Sequence, residues 1–267
     1  MPAPQKNIGM FGLFGGGNLG NEGSLEAVLQ MLRRVQPDAR LSCICAKPAV
    51  VMHDHGIPAL PIRTPPPVEA LSRGLPGALW KVAREVIDWP ATFLRVRRFG
   101  VVIVPGTGIL DDFGERPWRT PLMVFRMCVM ARLAGTKVWF VSIGAGPIRH
   151  PVSRWLMLQA ARLAEYRSFR DTGSRDYMKS IGLDTNADEV YPDVAFALPA
   201  PIAQSTAGEE RADTTTTTIG VGVMAYQGWK GGASGPAVYA GYIDTLTKFV
   251  RRLLERGFRV RLIMGET

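Results

Sequence analysis

Residues 8–24 read Ile8-Gly9-Met10-Phe11-Gly12-Leu13-Phe14-Gly15-Gly16-Gly17-Asn18-Leu19-Gly20-Asn21-Glu22-Gly23-Ser24. The apolar first half predicts a buried strand, and the glycine-rich second half predicts a tight turn. Apolar residues then recur at helical spacing, so a helix follows the turn. A strand, a turn and a helix N-terminus together favour an anion, because backbone N–H groups and the helix dipole attract negative charge. The predicted substrate-binding residues of this turn are Gly16, Gly17, Asn18, Gly20 and Glu22.

The same turn fits the pattern G-x-G-x-x-G at Gly15, Gly17 and Gly20. Dinucleotide-binding folds pair this pattern with an acidic residue at the end of the second strand. Here the second predicted strand, residues 41–46, is followed by Lys47-Pro48 and carries no such acid. NAD binding is therefore disfavoured, whereas a turn that only lets the strand and helix pack closely stays open as an alternative.

Composition restricts the classes of partner. The 267 residues are 46% hydrophobic and carry a net charge of +9, enough for a sizeable core and an attraction to acidic ligands or anionic surfaces. The basic residues are dispersed, so no nucleic-acid partner is expected. Three cysteines without a CxxC motif favour a reducing, cytoplasmic location. No metal site is expected, because the alternate histidines His53 and His55 seldom converge on one ion.

Strands and helices alternate along the chain, with strands predicted near 101–104, 137–143, 168–170 and 189–191. This alternation predicts an α/β fold, with a Rossmann-like parallel sheet covered on both faces. Ligands of such sheets bind at the carboxyl ends of the strands. The residues predicted at or just past those ends are Gly106, Gly108, Asp112, Gly144, Gly146, Arg170 and Asp193.

The predicted organisation has three parts. Residues 1–200 form a Rossmann-like domain, 201–218 form a linker rich in threonine, alanine and proline, and 219–267 form the first β-α-β unit of a second Rossmann-like domain. One such unit cannot bury both faces of its sheet, so the second domain is expected to be truncated. Residues 78–98 are expected to be partly helical and interrupted at Pro90. They form either a solvated helix or a basic element that contacts anionic lipid.

Four motifs follow one another at characteristic spacing: Gly17-Asn18-Leu19-Gly20-Asn21-Glu22, Pro105-Gly106-Thr107-Gly108-Ile109-Leu110-Asp111-Asp112, Ser142-Ile143-Gly144-Ala145-Gly146-Pro147, and Phe169-Arg170-Asp171 with Ser174 and the later Pro192-Asp193. Their order resembles the polysaccharide pyruvyl transferase family. Asn21 stands where the family usually has aspartate, and Pro105 and Thr107 replace two of its glycines.

The resemblance implies two facing Rossmann-type domains, similar to GT-B glycosyltransferases. It implies that phosphoenolpyruvate donates its enolpyruvyl group to two hydroxyls of a sugar, forming a ketal without a further cofactor. The acceptor would be a sugar or lipid-linked oligosaccharide, with peripheral association at the inner membrane face. Arg170 is the predicted donor contact and Asp112 the predicted base, with Asp111 as second choice. Lys230, beside Trp229, is a further predicted phosphate contact.

Two other functions stay open at this point: a GT-B glycosyltransferase that uses a nucleotide sugar, and a non-catalytic binding module. The resembled family carries an Arg-x-His motif in its second domain, whereas no histidine follows His150 here. The chain as written is therefore expected to be a fragment and a poor or inactive catalyst.

Overall fold

The computed structural model describes residues 6–65, 77–200, 216–224, 226 and 235–264, and for residues 77–82 it describes the backbone only. The chain divides into two compact units, Met1–Leu198 and Pro199–Thr267.

The first unit is built on one parallel sheet. Its strands are β1 Asn7–Gly12, β2 Arg40–Cys45, β3 Ala59–Pro61, β4 Val101–Pro105, β5 Lys137–Ile143, β6 Tyr166–Phe169 and β7 Glu189–Val190. They lie in the order β3-β2-β1-β4-β5-β6-β7, and every neighbouring pair is parallel. The order runs outward in both directions from β1 and β4. In such sheets, ligands bind in the crevice where the order reverses, which here is the carboxyl ends of β1 and β4.

Helices connect the strands on both faces of the sheet. They are α1 Leu19–Val35, α2 Pro48–His55, α3 Gly77–Val96, α4 Thr120–Ala134, α5 Pro151–Leu163 and α6 Thr172–Ser180, with a 3-10 helix at Val194–Ala197. The helix predicted behind the glycine-rich turn is α1. The apolar residues that recur at helical spacing are all buried: Leu25, Val28, Leu29 and Leu32. The α/β class predicted from the alternation of strands and helices is confirmed.

Two apolar cores lie on the two faces of the sheet. Phe11, Val102 and Phe140 pack on one face with residues of α4 and α5. Met10 and Ile103 pack on the other face with the buried stripe of α1. Successive side chains along each strand point to opposite faces and so contribute to both cores, as expected for a parallel sheet covered on two sides.

Helix α3 differs from the prediction, because it runs through Pro90 without interruption. Proline lacks the N–H that would bond to the carbonyl of Val86, four residues earlier. Both Pro90 and Val86 are exposed, so this part of the helix faces water, which can hydrate the carbonyl. The predicted break at Pro90 is therefore wrong. Within the ranges described above, no helix combines the length and apolar character needed to cross a bilayer.

The second unit contains β8 Thr218–Val223, α7 Gly235–Glu255 and β9 Arg259–Met264. Its two strands pair in parallel, from Thr218 with Arg259 to Val223 with Met264. Gly257 ends the helical segment with a φ of 79°, in the left-handed region that glycine adopts readily. The β-α-β order that the sequence predicts for residues 219–267 is present here. Most of the predicted linker, residues 201–215 of 201–218, lies outside the described residues.

Candidate functional site

Two loops lie side by side at the carboxyl edge of the first sheet, one after β4 and one after β5. The N–H of Gly144 donates to the carbonyl of Thr107 at 3.0 Å, and the N–H of Gly146 donates to that of Leu110 at 2.9 Å. The sequence motifs at 105–112 and 142–147 are therefore neighbours in space. Their glycines, Gly106, Gly108, Gly144 and Gly146, lie in this one pair of loops.

Arg170 follows β6 and reaches back over these loops. A side chain added at Gly144 would place its Cβ 2.7 Å from Nε of Arg170, and one added at Gly108 would lie 3.8 Å from Nη2. The guanidinium therefore rests on the bare backbone of Gly144. It pairs with Asp193 at 3.4 Å and Asp171 at 3.7 Å, yet 40% of the side chain stays exposed. The exposed N–H groups of the guanidinium are available to an anion.

Asp193 connects Arg170 to the start of α1. Its carboxylate accepts the N–H of Ala195 at 3.1 Å, which caps the 3-10 helix, and the hydroxyl of Ser24 lies 3.5 Å away. Gly106, with a φ of 53°, lies between Ser24 of α1 and Val194 of the 3-10 helix. A side chain there would fall within 2.5 Å of Oγ of Ser24 and Cγ2 of Val194. The predicted strand-end residues Arg170 and Asp193 are thus brought together with the loop after β4.

The glycine-rich turn after β1 uses part of its hydrogen-bonding capacity internally. The N–H of Gly15 donates to the carboxylate of Glu22 at 2.8 Å, and the N–H of Asn21 donates to the side chain of Asn18 at 3.1 Å. Gly16 and Gly20 are exposed. Glu22 therefore already supplies a negative charge to the first turn of α1, where the sequence predicts an external anion. That anion site stays a prediction.

The side chain of Asp112 has surroundings that do not suit its predicted role as a base. The side chain is 1% exposed. One oxygen accepts the N–H of Gly114 at 3.1 Å, and the other accepts the N–H groups of Arg149 and His150 at 2.9 and 3.0 Å. A general base needs an oxygen within hydrogen-bond reach of the proton that it removes. Both oxygens of Asp112 are committed to backbone amides, so the residue holds the two loops together and is poorly placed as a base.

Asp111, the second choice from the sequence, has the more suitable environment. It is only partly buried, and it accepts a hydrogen bond from the N–H of Phe113 at 2.8 Å. Burial raises the pKa of Asp111, and the neighbouring charge of Asp112 adds to the rise, against the lowering effects of the Phe113 N–H and Arg149. A carboxylate with a raised pKa is a stronger base, so its environment favours proton abstraction.

Helix α6 supports the loop after β5 through residues that the sequence argument did not single out for this role. The ring of Tyr177 packs against Gly146, whose φ is 69°. The hydroxyl of Tyr177 accepts the N–H of Ile148 at 2.7 Å, and Ser174 accepts the N–H of Ala145 at 3.0 Å. The Arg-Asp-x-x-Ser spacing was the available signal for Ser174. No comparable pattern identifies Tyr177.

The remaining predicted contact, Lys230, lies outside the described residues, as does Trp229. Both histidines of α2 contact acidic side chains. His55 pairs with Glu26 of α1 at 2.8 Å, and His53 pairs with Asp54 on the surface.

Comparison with solved structures finds the same class of fold. The MnaA–UDP structure of S. aureus is 12% identical with a TM-score of 0.52, covering 98% of this chain and 62% of that one. The UDP-GlcNAc 2-epimerases of Methanocaldococcus jannaschii and Neisseria meningitidis are 11% and 13% identical, with TM-scores of 0.43 and 0.45. They match 70% and 72% of this chain, which spans 45% and 47% of their lengths. At these identities the MnaA likeness concerns the fold alone.

No curated protein matches the sequence significantly. A sequence model of a family does match, over residues 18–266, which is nearly the whole chain. The description of that family is polysaccharide pyruvyl transferase.

Proposed function

The chain belongs to the polysaccharide pyruvyl transferase family, and on that premise we propose that it transfers a pyruvyl group from phosphoenolpyruvate to two hydroxyls of a sugar. The observation that carries this proposal is the position of Arg170. Its guanidinium is partly exposed, lies on the backbone of Gly144, and stands at the carboxyl edge where ligands of such sheets bind.

The donor carries both a phosphate and a carboxylate. An arginine fork matches either group with two parallel hydrogen bonds, and glycines let the ligand approach the backbone closely. Arg170 therefore holds one anionic group of the donor, with its guanidinium seated on Gly144 and Gly108 leaving the backbone bare beside it. The exposed glycines of the turn after β1, Gly16 and Gly20, are the proposed contacts of the second anionic group. Lys230 remains a proposed contact in the second unit.

Ketal formation joins two acceptor oxygens to C2 of the donor and breaks its C2–O bond to phosphate. Of the two hydroxyl hydrogens, one ends on C3, which becomes a methyl group, and the other leaves with inorganic phosphate. A base that removes the first hydroxyl proton makes that oxygen a better nucleophile. Asp111 is the proposed base, because it is partly exposed and burial raises its pKa. Asp112 then orders the loops around it.

The acceptor in this proposal is a sugar or a lipid-linked oligosaccharide, and no cofactor is needed beyond the donor. The reaction takes place in the cytoplasm, where phosphoenolpyruvate is made. Peripheral contact with the inner membrane face brings the enzyme to a lipid-linked acceptor.

A direct test measures donor binding first and chemistry second. Titration calorimetry of the chain with phosphoenolpyruvate, and in parallel with a nucleotide sugar, asks which donor it takes. Incubation with sugars and phosphoenolpyruvate then tests for turnover, which is expected to be slow because no histidine follows His150. Release of phosphate together with the methyl singlet of a pyruvate ketal by NMR supports the proposal. Binding of the nucleotide sugar alone, with release of nucleoside diphosphate on transfer, would replace this proposal with the glycosyltransferase alternative.

A further inference from the structure

Helix α4 is apolar on two opposite sides. Its inner side packs into the core through Met123, Val124, Met127 and Cys128. Its outer side carries a second apolar stripe, with residues three or four positions apart: Trp118, Leu122, Phe125, Val129 and Leu133. The two ends of this stripe, Trp118 and Leu133, are 59% and 67% exposed. A helix that is apolar all round is normally buried on all sides, so the outer stripe calls for a partner.

The helices on either side extend this stripe into a surface. Phe125 contacts the ring of Trp155 on α5 at 5.5 Å between centroids, and the ring of Trp89 on α3 at 6.5 Å. Trp155, Val152 and Val86 are all strongly exposed. We call this surface the α4 face and define it by the residues Val86, Trp89, Trp118, Leu122, Phe125, Val129, Leu133, Val152 and Trp155.

Positive charge surrounds the α4 face. Between residues 113 and 165 two residues are acidic, Glu115 and Glu165, whereas seven basic residues accompany α4 and α5: Arg116, Arg119, Arg126, Arg132, Arg149, Arg154 and Arg162. Arg126 is buried, but Arg116, Arg119 and Arg132 are exposed. The acids of α3 nearby, Glu85 and Asp88, are already paired with Arg63 and Arg126. Two of the exposed arginines are also paired, Arg119 with Glu115 at 3.4 Å and Arg132 with Glu165 at 3.8 Å. The basic residues still outnumber these acids, so the rim keeps a net positive charge.

We propose that the α4 face binds the surface of an anionic lipid bilayer. Tryptophan rings prefer the boundary between headgroups and acyl chains, and each arginine near an anionic leaflet adds attraction. A second copy of the chain is the other occupant to consider. It would bring a rim of the same charge against this one, and like charges across an interface oppose association. The positive rim is therefore complementary to an anionic lipid surface and not to a second copy of the chain.

The position of the α4 face has a consequence for the edge that carries Arg170. Trp118 lies just before α4, and Val152 and Trp155 lie in the first turns of α5. Both helices begin at the carboxyl edge of the sheet, after the loops of β4 and β5. Docking by these residues would hold that edge near the headgroups, where a lipid-linked substrate is found. The lipid contact itself does not rest on the proposed reaction.

The test is sedimentation of the whole chain with vesicles of phosphatidylcholine, with and without about one third phosphatidylglycerol. We expect binding to the anionic vesicles that falls at least tenfold in the double variant Trp118→Ser/Trp155→Ser. The matched control is Trp139→Ser. Trp139 is 37% exposed and contacts the ring of Tyr166, but it lies on the opposite face of the sheet, which packs against α1.

A second pair of variants tests the charge. Arg116→Gln/Arg119→Gln should lower binding to the anionic vesicles roughly tenfold or more, whereas Arg251→Gln/Arg252→Gln on α7 removes the same charge and should change binding little. Circular dichroism checks the fold of each variant. Wild-type protein that stays in the supernatant overturns the proposal, as does equal binding by the tryptophan variant. Lipid-free dimerisation that the tryptophan variant abolishes would assign the face to a second copy instead. None of these readouts depends on pyruvyl transfer.

Discussion

The guanidinium of Arg170 lies against the backbone of Gly144 so closely that a Cβ added there would come within 2.7 Å of Nε. The two residues belong to different strand ends, and the N–H of Arg170 also donates to the carbonyl of Ile143 at 3.0 Å. The absence of a side chain at position 144 thus fixes where the positive charge of Arg170 rests. The proposed donor site depends on this contact.

Substituting Gly144→Ala should weaken donor binding without unfolding the protein. The atoms that the new methyl group meets are at the far end of a flexible side chain, so Arg170 can move aside while the backbone stays in place. We expect the dissociation constant for phosphoenolpyruvate to rise about tenfold, the loss of roughly one charged hydrogen bond. Titration calorimetry measures this dissociation constant. Gly100→Ala is the control, because its new Cβ would meet nothing closer than 3.8 Å.

Substituting Arg170→Lys keeps the positive charge but removes the planar guanidinium. Lysine cannot make two parallel hydrogen bonds to a phosphate or carboxylate, so donor affinity should fall by about 1.5–3 kcal/mol. The exposed Arg175, which pairs with its neighbour Asp176, provides a control in the variant Arg175→Lys. Unchanged donor affinity in folded Arg170→Lys protein would remove Arg170 from the site.

Asp111→Asn should reduce turnover and raise stability at neutral pH. Loss of a general base costs roughly 100-fold or more in turnover. Burial raises the pKa of Asp111 above its unfolded value, so the folded state holds this proton more tightly. Wild-type stability therefore falls as the pH rises through the ordinary aspartate range to the raised pKa. Asparagine does not titrate. Thermal melts should show the variant more stable than wild type at pH 7, and this advantage should vanish at pH 3.

Asp112→Asn should act in the opposite sense on stability. The carboxylate accepts three backbone N–H groups, and an amide presents an NH2 group to donors that need an acceptor. We expect a loss of about 1–3 kcal/mol in the free energy of unfolding, measured with urea. If Asp112→Asn instead unfolds like the wild type and only loses turnover, the base is Asp112 after all.

Arg126→Leu should be the most destabilising of these substitutions. Arg126 is 1% exposed and lies 2.8 Å from Glu85 and 3.5 Å from Asp88. Burial lowers the pKa of Arg126, while the two carboxylates oppose that shift. Removing it leaves those acids without their buried cation, which should cost about 3–5 kcal/mol in urea unfolding. Arg132→Leu, at a side chain 68% exposed and 3.8 Å from Glu165, should change stability by less than about 1 kcal/mol.

The sheet of the first unit could be predicted because its signals are local. Runs such as Val101-Val102-Ile103-Val104, each ended by glycine or proline, identify strands, and Gly135 marks the end of α4 with a φ of 72°. The same local signals indicated which residues follow the strands. Arg170 and the glycines of the loops after β4 and β5 were therefore predicted at one edge, and the structure places them there.

The roles within that edge could not be predicted in the same way, because they depend on partners distant in sequence. Asp112 and Asp111 are adjacent and chemically identical. They differ in burial and in their partners: Asp112 is 1% exposed and accepts the N–H groups of Arg149 and His150, 37 and 38 residues further on, whereas Asp111 does not. The α4 face was missed for a related reason. The apolar residues of α4 predict a buried helix, and only the packing of α3 and α5 shows which stripe stays uncovered.

The junction at Gly106 joins parts of the chain that are synthesised far apart. Ser24 and Asp193 meet there across 169 positions, with Val194 packed against the same glycine. A ribosome must release the chain beyond residue 194 before this contact can close. Earlier nascent chains can already contain β1, α1 and β4, but until residue 193 is made Arg170 lacks Asp193 as a partner. The proposed donor site is therefore completed only after residue 193 has been synthesised.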